Sequence, residues 1–281
     1  MFADRYLLTH GKLTRALLSI ALAATAAPAR AQFSLSLSPM RAELNLAPGA
    51  QRNGTLAISN ESKQVARFRT EILDLFLDKE AVPQFEKDIP GESQFSCKQW
   101  VTVNPMEAEM PASGHMDIRY TFRVPAEAPP RVYHCALGFT SLPEPGKQQP
   151  GVGITSLVRV VCTLYVTVGN PAPAGVVKEI AMEKVASAQT SGYRALVSVE
   201  NTGLTNLRGA GTAELLNDAG RSIESVEFPP VVILPQRIQR IPVVFFKKFP
   251  DGDYTFRLRV NLGTGEIQEA TYRFRVPAPA Q

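Results

Sequence analysis

The sequence predicts an all-β protein: two immunoglobulin-like β-sandwich domains in tandem. Three observations predict it. From Phe33 onward, apolar and β-branched residues recur with a period of two, in short runs. Clusters of Pro, Gly, Asn and Asp punctuate those runs. No window holds a sustained apolar stripe at the 3.6-residue helical period.

The first series of runs comprises Ser34–Leu37, Ala42–Leu46, Gly54–Ser59, Ala66–Leu77, Trp100–Val103, Met116–Val124, Val132–Leu142 and Ile154–Val168. Turns separate them at Pro48-Gly49, Asn60-Glu61, Pro90-Gly91, Pro111–Gly114, Pro125–Pro130 and Pro145–Gly153. Short strands at this spacing are those of an immunoglobulin-like sandwich. Ala66–Leu77 reads either as a strand or as a short helix. Asn170-Pro171-Ala172-Pro173-Ala174-Gly175 then breaks the pattern, as a semi-rigid hinge does. A second series follows: Val176–Met182, Tyr193–Glu200, Gly211–Leu216, Ser222–Phe228, Arg237–Val244, Tyr254–Leu262 and Ala270–Val276. The expected domains are 32–170 and 176–281, with 171–175 as linker.

Residues 1–31 read as a secretory signal peptide. Arg5, Lys12 and Arg15 precede the apolar run Ala16–Ala27, and Ala29-Arg30-Ala31 supplies a small-x-small cleavage pattern. The run is about 12 residues, where a spanning helix needs about 20, which favours a cleaved signal over an anchor. The mature chain is then expected to start near Gln32 and to work in an exported compartment, the periplasm if the source is bacterial. No later stretch is long and apolar enough to span a membrane.

The 281 residues are 44% hydrophobic and 20% charged, with 22 prolines, 19 glycines and three cysteines. That composition is ordinary for a globular protein and excludes disordered, collagen-like and disulfide-framework classes. The formal charge of +4 is mostly the leader's, where Arg5, Lys12, Arg15 and Arg30 face only Asp4. A nearly neutral mature chain offers no electrostatic basis for nucleic acid as a partner.

Signals for catalysis are weak. His115 and His134 are the histidines after the leader, and no nucleophile-elbow, phosphate-loop or zinc-protease motif accompanies them. His134 and Cys135 are strand neighbours, so their side chains point to opposite faces and make a poor dyad. Asp251-Gly252-Asp253 lacks the regular oxygen offsets of a calcium loop and reads as a hairpin turn. The chain is expected to be no enzyme and to carry no cofactor or metal.

In an oxidising compartment Cys97, Cys135 and Cys162 become candidates for a disulfide. Tyr133-x-Cys135 has the spacing of the sixth strand of immunoglobulin domains, yet Gly54–Ser59 holds no cysteine for the usual inter-sheet bond. If Val132–Leu142 and Ile154–Val168 form a hairpin, Cys135 falls opposite Cys162. Two readings stand, a Cys135–Cys162 disulfide or two small buried hydrophobes. Cys97 is then the leftover thiol.

Three motifs occur in order: Leu37-Ser38-Pro39-Met40-Arg41-Ala42-Glu43-Leu44, Pro48-Gly49-Ala50, and Leu56-Ala57-Ile58-Ser59-Asn60-Glu61-Ser62-Lys63-Gln64. With Asn104-Pro105-Met106, Met116-Asp117-Ile118-Arg119-Tyr120, Val132–Pro143 and Ile154–Val168, residues 33–170 resemble the amino-terminal domain of the periplasmic pilus-assembly chaperones (PapD-like). The resemblance implies a non-catalytic protein that caps an exported pilus-type subunit by lending it a strand, in partnership with an outer-membrane usher, and that is a monomer when free. Main-chain hydrogen bonds close the subunit's open edge, and alternate apolar side chains fill its groove. The implied lending residues are Val152, Ile154, Val158 and Val160, in a row that Ser156 interrupts, with Leu164 and Val166 belonging to the chaperone's own core. The implied carboxylate anchor is Arg41 with a second cation on the lending strand. Thr163 stands at that second position, and Arg159, on the same face, is the substitute. For Arg41 the other reading is a solvated charge on an edge strand. The alternative function is a structural or adhesive immunoglobulin-like module of the cell envelope.

Overall fold

A computed structural model describes residues 35–78, 80–91, 93–143, 157–186, 191–247 and 249–277. The first ten strands are β1 (Leu35–Ser38), β2 (Arg41–Leu46), β3 (Gln51–Asn60), β4 (Ala66–Leu77), β5 (Pro83–Glu86), β6 (Val101–Asn104), β7 (Glu107–Met110), β8 (His115–Arg123), β9 (Arg131–Leu142) and β10 (Arg159–Val168). They form two facing sheets. One has the order β1-β3-β8-β6; the other runs β2-β10-β9-β4-β5, with β7 also on β4. The helical content of the described residues is two single turns of 3-10 helix, Ser93–Phe95 and Lys98–Trp100.

The chain changes sheets immediately after β1. Leu35–Ser38 pairs antiparallel with β3, whereas Arg41–Leu46 pairs parallel with β10. Pro39 sits between them, where the absent N–H costs no ladder bond. Alternation then fills the core. Leu56 and Ile58 of β3, Ile118, Tyr120 and Phe122 of β8, and Cys135, Leu137 and Phe139 of β9 are all buried in it.

Ala66–Leu77 is a strand. It reads ambiguously because both of its faces are covered. Ala66, Phe68 and Ile72 face the first core, while Leu75 joins Tyr165 and Leu234 in a separate apolar cluster. Apolar residues at even and odd positions blur a period of two.

The second series is β11 (Gly175–Ala186), β12 (Ser191–Asn201), β13 (Leu207–Arg208), β14 (Ala210–Asn217), β15 (Ser222–Glu227), β16 (Val232–Ile233), β17 (Ile238–Phe245), β18 (Gly252–Asn261) and β19 (Ile267–Val276). Its sheets run β11-β12-β17 and β15-β14-β18-β19, with a β13-β16 ribbon, and they enclose their own core from Ala195 to Val276.

The two sandwiches share two local devices. A buried Asn ends the second major strand of each. Asn60 Nδ2 donates to the Gln64 and Pro111 carbonyls at 2.7 and 2.9 Å, and Asn201 Nδ2 donates to the Thr205 and Ile233 carbonyls, both at 2.8 Å. A tyrosine also ties each penultimate strand to the chain four residues upstream: Tyr133 to the Pro129 carbonyl at 3.1 Å, Tyr254 to the Pro250 carbonyl at 2.9 Å. The latter is the corner expected of this architecture.

Contact between the sandwiches is both apolar and polar. Leu75 and Tyr165 from the first pack with Leu234 from the second. The Val132 N–H donates to the Leu204 carbonyl at 2.8 Å, and Gln239 Nε2 donates to the Asp78 carbonyl at 3.0 Å.

The expected cysteine pairing is corrected. The disulfide joins Cys97 to Cys135, and Cys162 is the buried free thiol. The β9–β10 hairpin is offset by two residues from the expected register, so Leu164 lies opposite Cys135 and Cys162 opposite Leu137. Meanwhile the segment before the second 3-10 turn runs alongside β9, through a parallel Ser96–His134 bridge and a hydrogen bond from Cys97 N to the His134 carbonyl. That brings the Cys97 and Cys135 Cα atoms to 5.3 Å, inside bonding range.

Candidate functional site

β10 is paired on both sides over only part of its length. Along β9 the ladder covers all of it, from Arg159↔Thr140 to Val168↔Arg131. Along β2 it covers Thr163↔Arg41 to Val168↔Leu46. Successive residues of a strand turn their backbone groups to opposite sides. Thr163 N donates to the Met40 carbonyl at 2.9 Å, so odd residues face the β2 side. Val158 accepts from Ser141 N at 2.8 Å and donates to Ser141 Oγ at 2.9 Å, so even residues face β9. The N–H and C=O of Arg159 and Val161 therefore point toward a side where no described strand lies. They form a short open rim, the kind of edge that accepts another strand.

The side chains divide by the same parity. Val160 packs against the first core, continuing the buried row of Cys162, Leu164, Val166 and Val168. Val158 is half-buried just beyond the strand. Val152, Ile154 and Ser156 lie outside the described residues. Two exposed apolar side chains flank the rim, Leu157 at 58% and Met40 at 62%.

Arg41 stands where the rim ends and β2 begins, opposite Thr163. Its guanidinium lies 5.0 Å from the centre of the Tyr165 ring and is ion-paired with Glu43. The same Glu43 Oε1 accepts from Arg208 Nη2 at 2.6 Å, across from the second sandwich. Tyr165 is buried in the contact between the sandwiches. Burial is the main force raising its phenol pKa, opposed by Arg41 and by a hydrogen bond with Thr163. Arg41, Thr163, Tyr165, Glu43 and Arg208 thus form one polar cluster with an aromatic floor.

Arg159 is not brought to this cluster. It lies four residues up β10, about 13 Å along a strand, and its Nη2 is 3.1 Å from Glu71 Oε2 on β4. His134 also lies elsewhere, buried on the far face of β9 from Cys135 and stacked on Phe95 at 6.2 Å. His115 is exposed at the start of β8.

Sequence reasoning missed Glu43, Tyr165 and Arg208. The first two were in reach, because Glu43 and Tyr165 follow Arg41 and Thr163 by two, on the same faces of paired strands. Arg208 had no signal in the chain.

Fold and site together define a two-sandwich, all-β protein with a half-paired strand ending at a cationic cleft. No family model and no curated protein matches the chain. Solved structures similar to it include several fimbrial chaperones. One is a chaperone–tip adhesin complex of CFA/I fimbriae biogenesis, 13% identical over 83% of this chain and 97% of that one, with a TM-score of 0.45. Another is the CupB2 chaperone of Pseudomonas aeruginosa, 16% identical over 86% and 100%, at 0.39. A third is the Salmonella enterica SafA pilin in complex with the SafB chaperone, 14% identical over 87% and 97%, at 0.39. These scores are too low to decide function, which has to be read from β10 and its surroundings.

Proposed function

We propose that this protein is an exported, non-catalytic chaperone that lends the open rim of β10 to the incomplete sheet of a pilus-type subunit. The supporting observation is the half-paired strand: outward backbone groups at Arg159 and Val161, an apolar row at Val158 and Val160, and Leu157 and Met40 exposed on either side. An isolated edge of this kind is an aggregation hazard unless a partner covers it, and β-strand addition is the binding mode such an edge serves. A strand seated on the rim lies in line with β2 and abuts Arg41. A carboxylate at that end suits the guanidinium, so the guest strand runs parallel to β10, carboxyl end toward Arg41. Val152 and Ile154 extend the lending row in this reading. Arg41 anchors beside Thr163, while Arg159 braces the outer face of its own sheet. Work in the periplasm, following removal of residues 1–31, and delivery to an outer-membrane usher complete the reading.

Co-expression with small exported subunits encoded beside this gene tests it. The wild-type chain captures such a subunit. Val158→Asp and Val161→Pro, each checked for native circular dichroism, lose capture by tenfold or more. Val161→Pro deletes an N–H that no described strand uses. Undiminished capture by both variants rules out β10 as the binding strand, and a permanent pairing that survives assembly favours the structural-module alternative.

A further inference from the structure

We infer that Glu43 is a built-in stand-in for a guest carboxylate, held by one arginine from each sandwich and displaced when a guest binds. The inference rests on the proposed strand-lending role but concerns a separate contact. A carboxylate already sits in the cleft, with Glu43 Oε1 bonded to both Arg41 and Arg208. Each guanidinium offers five donors, and one carboxylate leaves most of them for water or a guest. Among the described residues neither arginine has a second acid within ion-pair distance, so the cluster carries a net positive charge with a single acid in it. Its floor is the buried ring of Tyr165, which excludes water from beneath Arg41. Its outer side is open, the Arg41 and Arg208 side chains being 39% and 51% exposed.

The site therefore has the donor set for a carboxylate and a resident carboxylate that competes for it. Arg208 supplies, from the second sandwich, the second cation that Thr163 does not. Exchange of Glu43 for a guest carboxylate leaves the two arginines bridged by the guest, so the contact between the sandwiches passes through the bound chain end. A guest held this way touches both sandwiches at once.

The test uses the full chain with labelled arginines, following the guanidinium Nε–H signals of Arg41 and Arg208 by NMR, assigned through Arg41→Lys and Arg208→Lys. The probes are acetyl-alanyl-alanine with a free carboxylate and its terminal amide. In Glu43→Gln both signals respond to the free acid at a concentration at least tenfold lower than in the wild type, and neither responds to the amide. Glu43→Ala repeats the result if the side-chain amide itself interferes. Equal responses in wild type and variant, no response in either variant, or an equal response to the amide overturns the inference. The probe is too short to pair along β10, so failure here leaves strand capture standing, and loss of strand capture leaves this readout intact.

Discussion

The Arg159 guanidinium lies 3.1 Å from the Glu71 carboxylate and crosses over Gly138 to reach it. Gly138 pairs with Glu71 on one side and Val161 on the other, so the three stand in one row across β4, β9 and β10. A Cβ at Gly138 would meet Leu73 Cδ1 at 2.9 Å and Arg159 Cδ at 3.5 Å. The glycine keeps open the path that the arginine takes.

Gly138→Val should therefore cost about 1–3 kcal/mol by overpacking, and Arg159→Ala about 0.5–1 kcal/mol as a partly exposed ion pair. The double variant should cost less than both together, because each disturbs the same pair. Urea unfolding measures all three. Additive losses would show that the glycine serves something other than Arg159. In the capture assay, Arg41→Ala should weaken binding and Arg159→Ala should not.

Stability should fall in mild acid through His134. Burial lowers its pKa to about 4, outweighing the opposing pull of Asp74. A histidine in the unfolded chain titrates near 6.5. Between those values the unfolded state binds the extra proton, so stability rises with pH there and is lost as pH falls from about 6.5 to 4. The loss from this one residue is on the order of 3 kcal/mol across that window. His134→Gln should flatten the slope between pH 6.5 and 4, measured by urea midpoints at each pH. An unchanged slope would place the acid sensitivity elsewhere.

Thiol counting should find one bond and one protected thiol. The Cys97–Cys135 bond closes a separation of 38 residues, a loop whose closure stabilises by about 4 kcal/mol in the chain-entropy account. Burial pushes the Cys162 thiol up to about 12, so it stays protonated and unreactive. Alkylation followed by intact mass should label no thiol in the native protein, one after unfolding without reductant, and three after reduction. Cys135→Ala should then leave two labelled thiols in the unfolded, unreduced chain. Two or three labels in unfolded, unreduced wild type would exclude the bond.

The paired tyrosine corners give a matched comparison. Tyr133→Phe and Tyr254→Phe each remove one hydroxyl donor from a proline carbonyl and leave the ring contacts in place, Trp100 at 4.2 Å from the first and Phe249 at 5.7 Å from the second. Each should cost about 1 kcal/mol, seen by calorimetry as a lower unfolding temperature. A neutral result at one corner would mean that water replaces the lost donor there.

How far the sequence reached can be judged from particular strands. Alternation alone located β3 and β8 to within a few residues, because each has one face on a core; β9, buried on both faces, stood out as an apolar and β-branched run between turn signals. It missed β5, β7 and the β13–β16 ribbon, which are two to four residues long and too short to show a period. It left Ala66–Leu77 open because that strand is covered on both faces. The parity of β10 was legible, and with it the inward row of Leu164 and Val166. Its register against β9 was not, and the offset of two residues is what takes Cys162 away from Cys135, which bonds to Cys97 instead.

The sequence by itself determined the all-β class, the inward and outward faces of the long strands, and the candidacy of Arg41, all of which depend on neighbours along the chain. Tertiary structure alone decided which cysteine Cys135 meets, that β10 has β9 as its one described neighbour before Thr163, and that Arg208 shares Glu43 with Arg41. Each of those joins segments 38 to 167 positions apart, and such a meeting depends on strand register and on how two sandwiches pack, which no local pattern encodes.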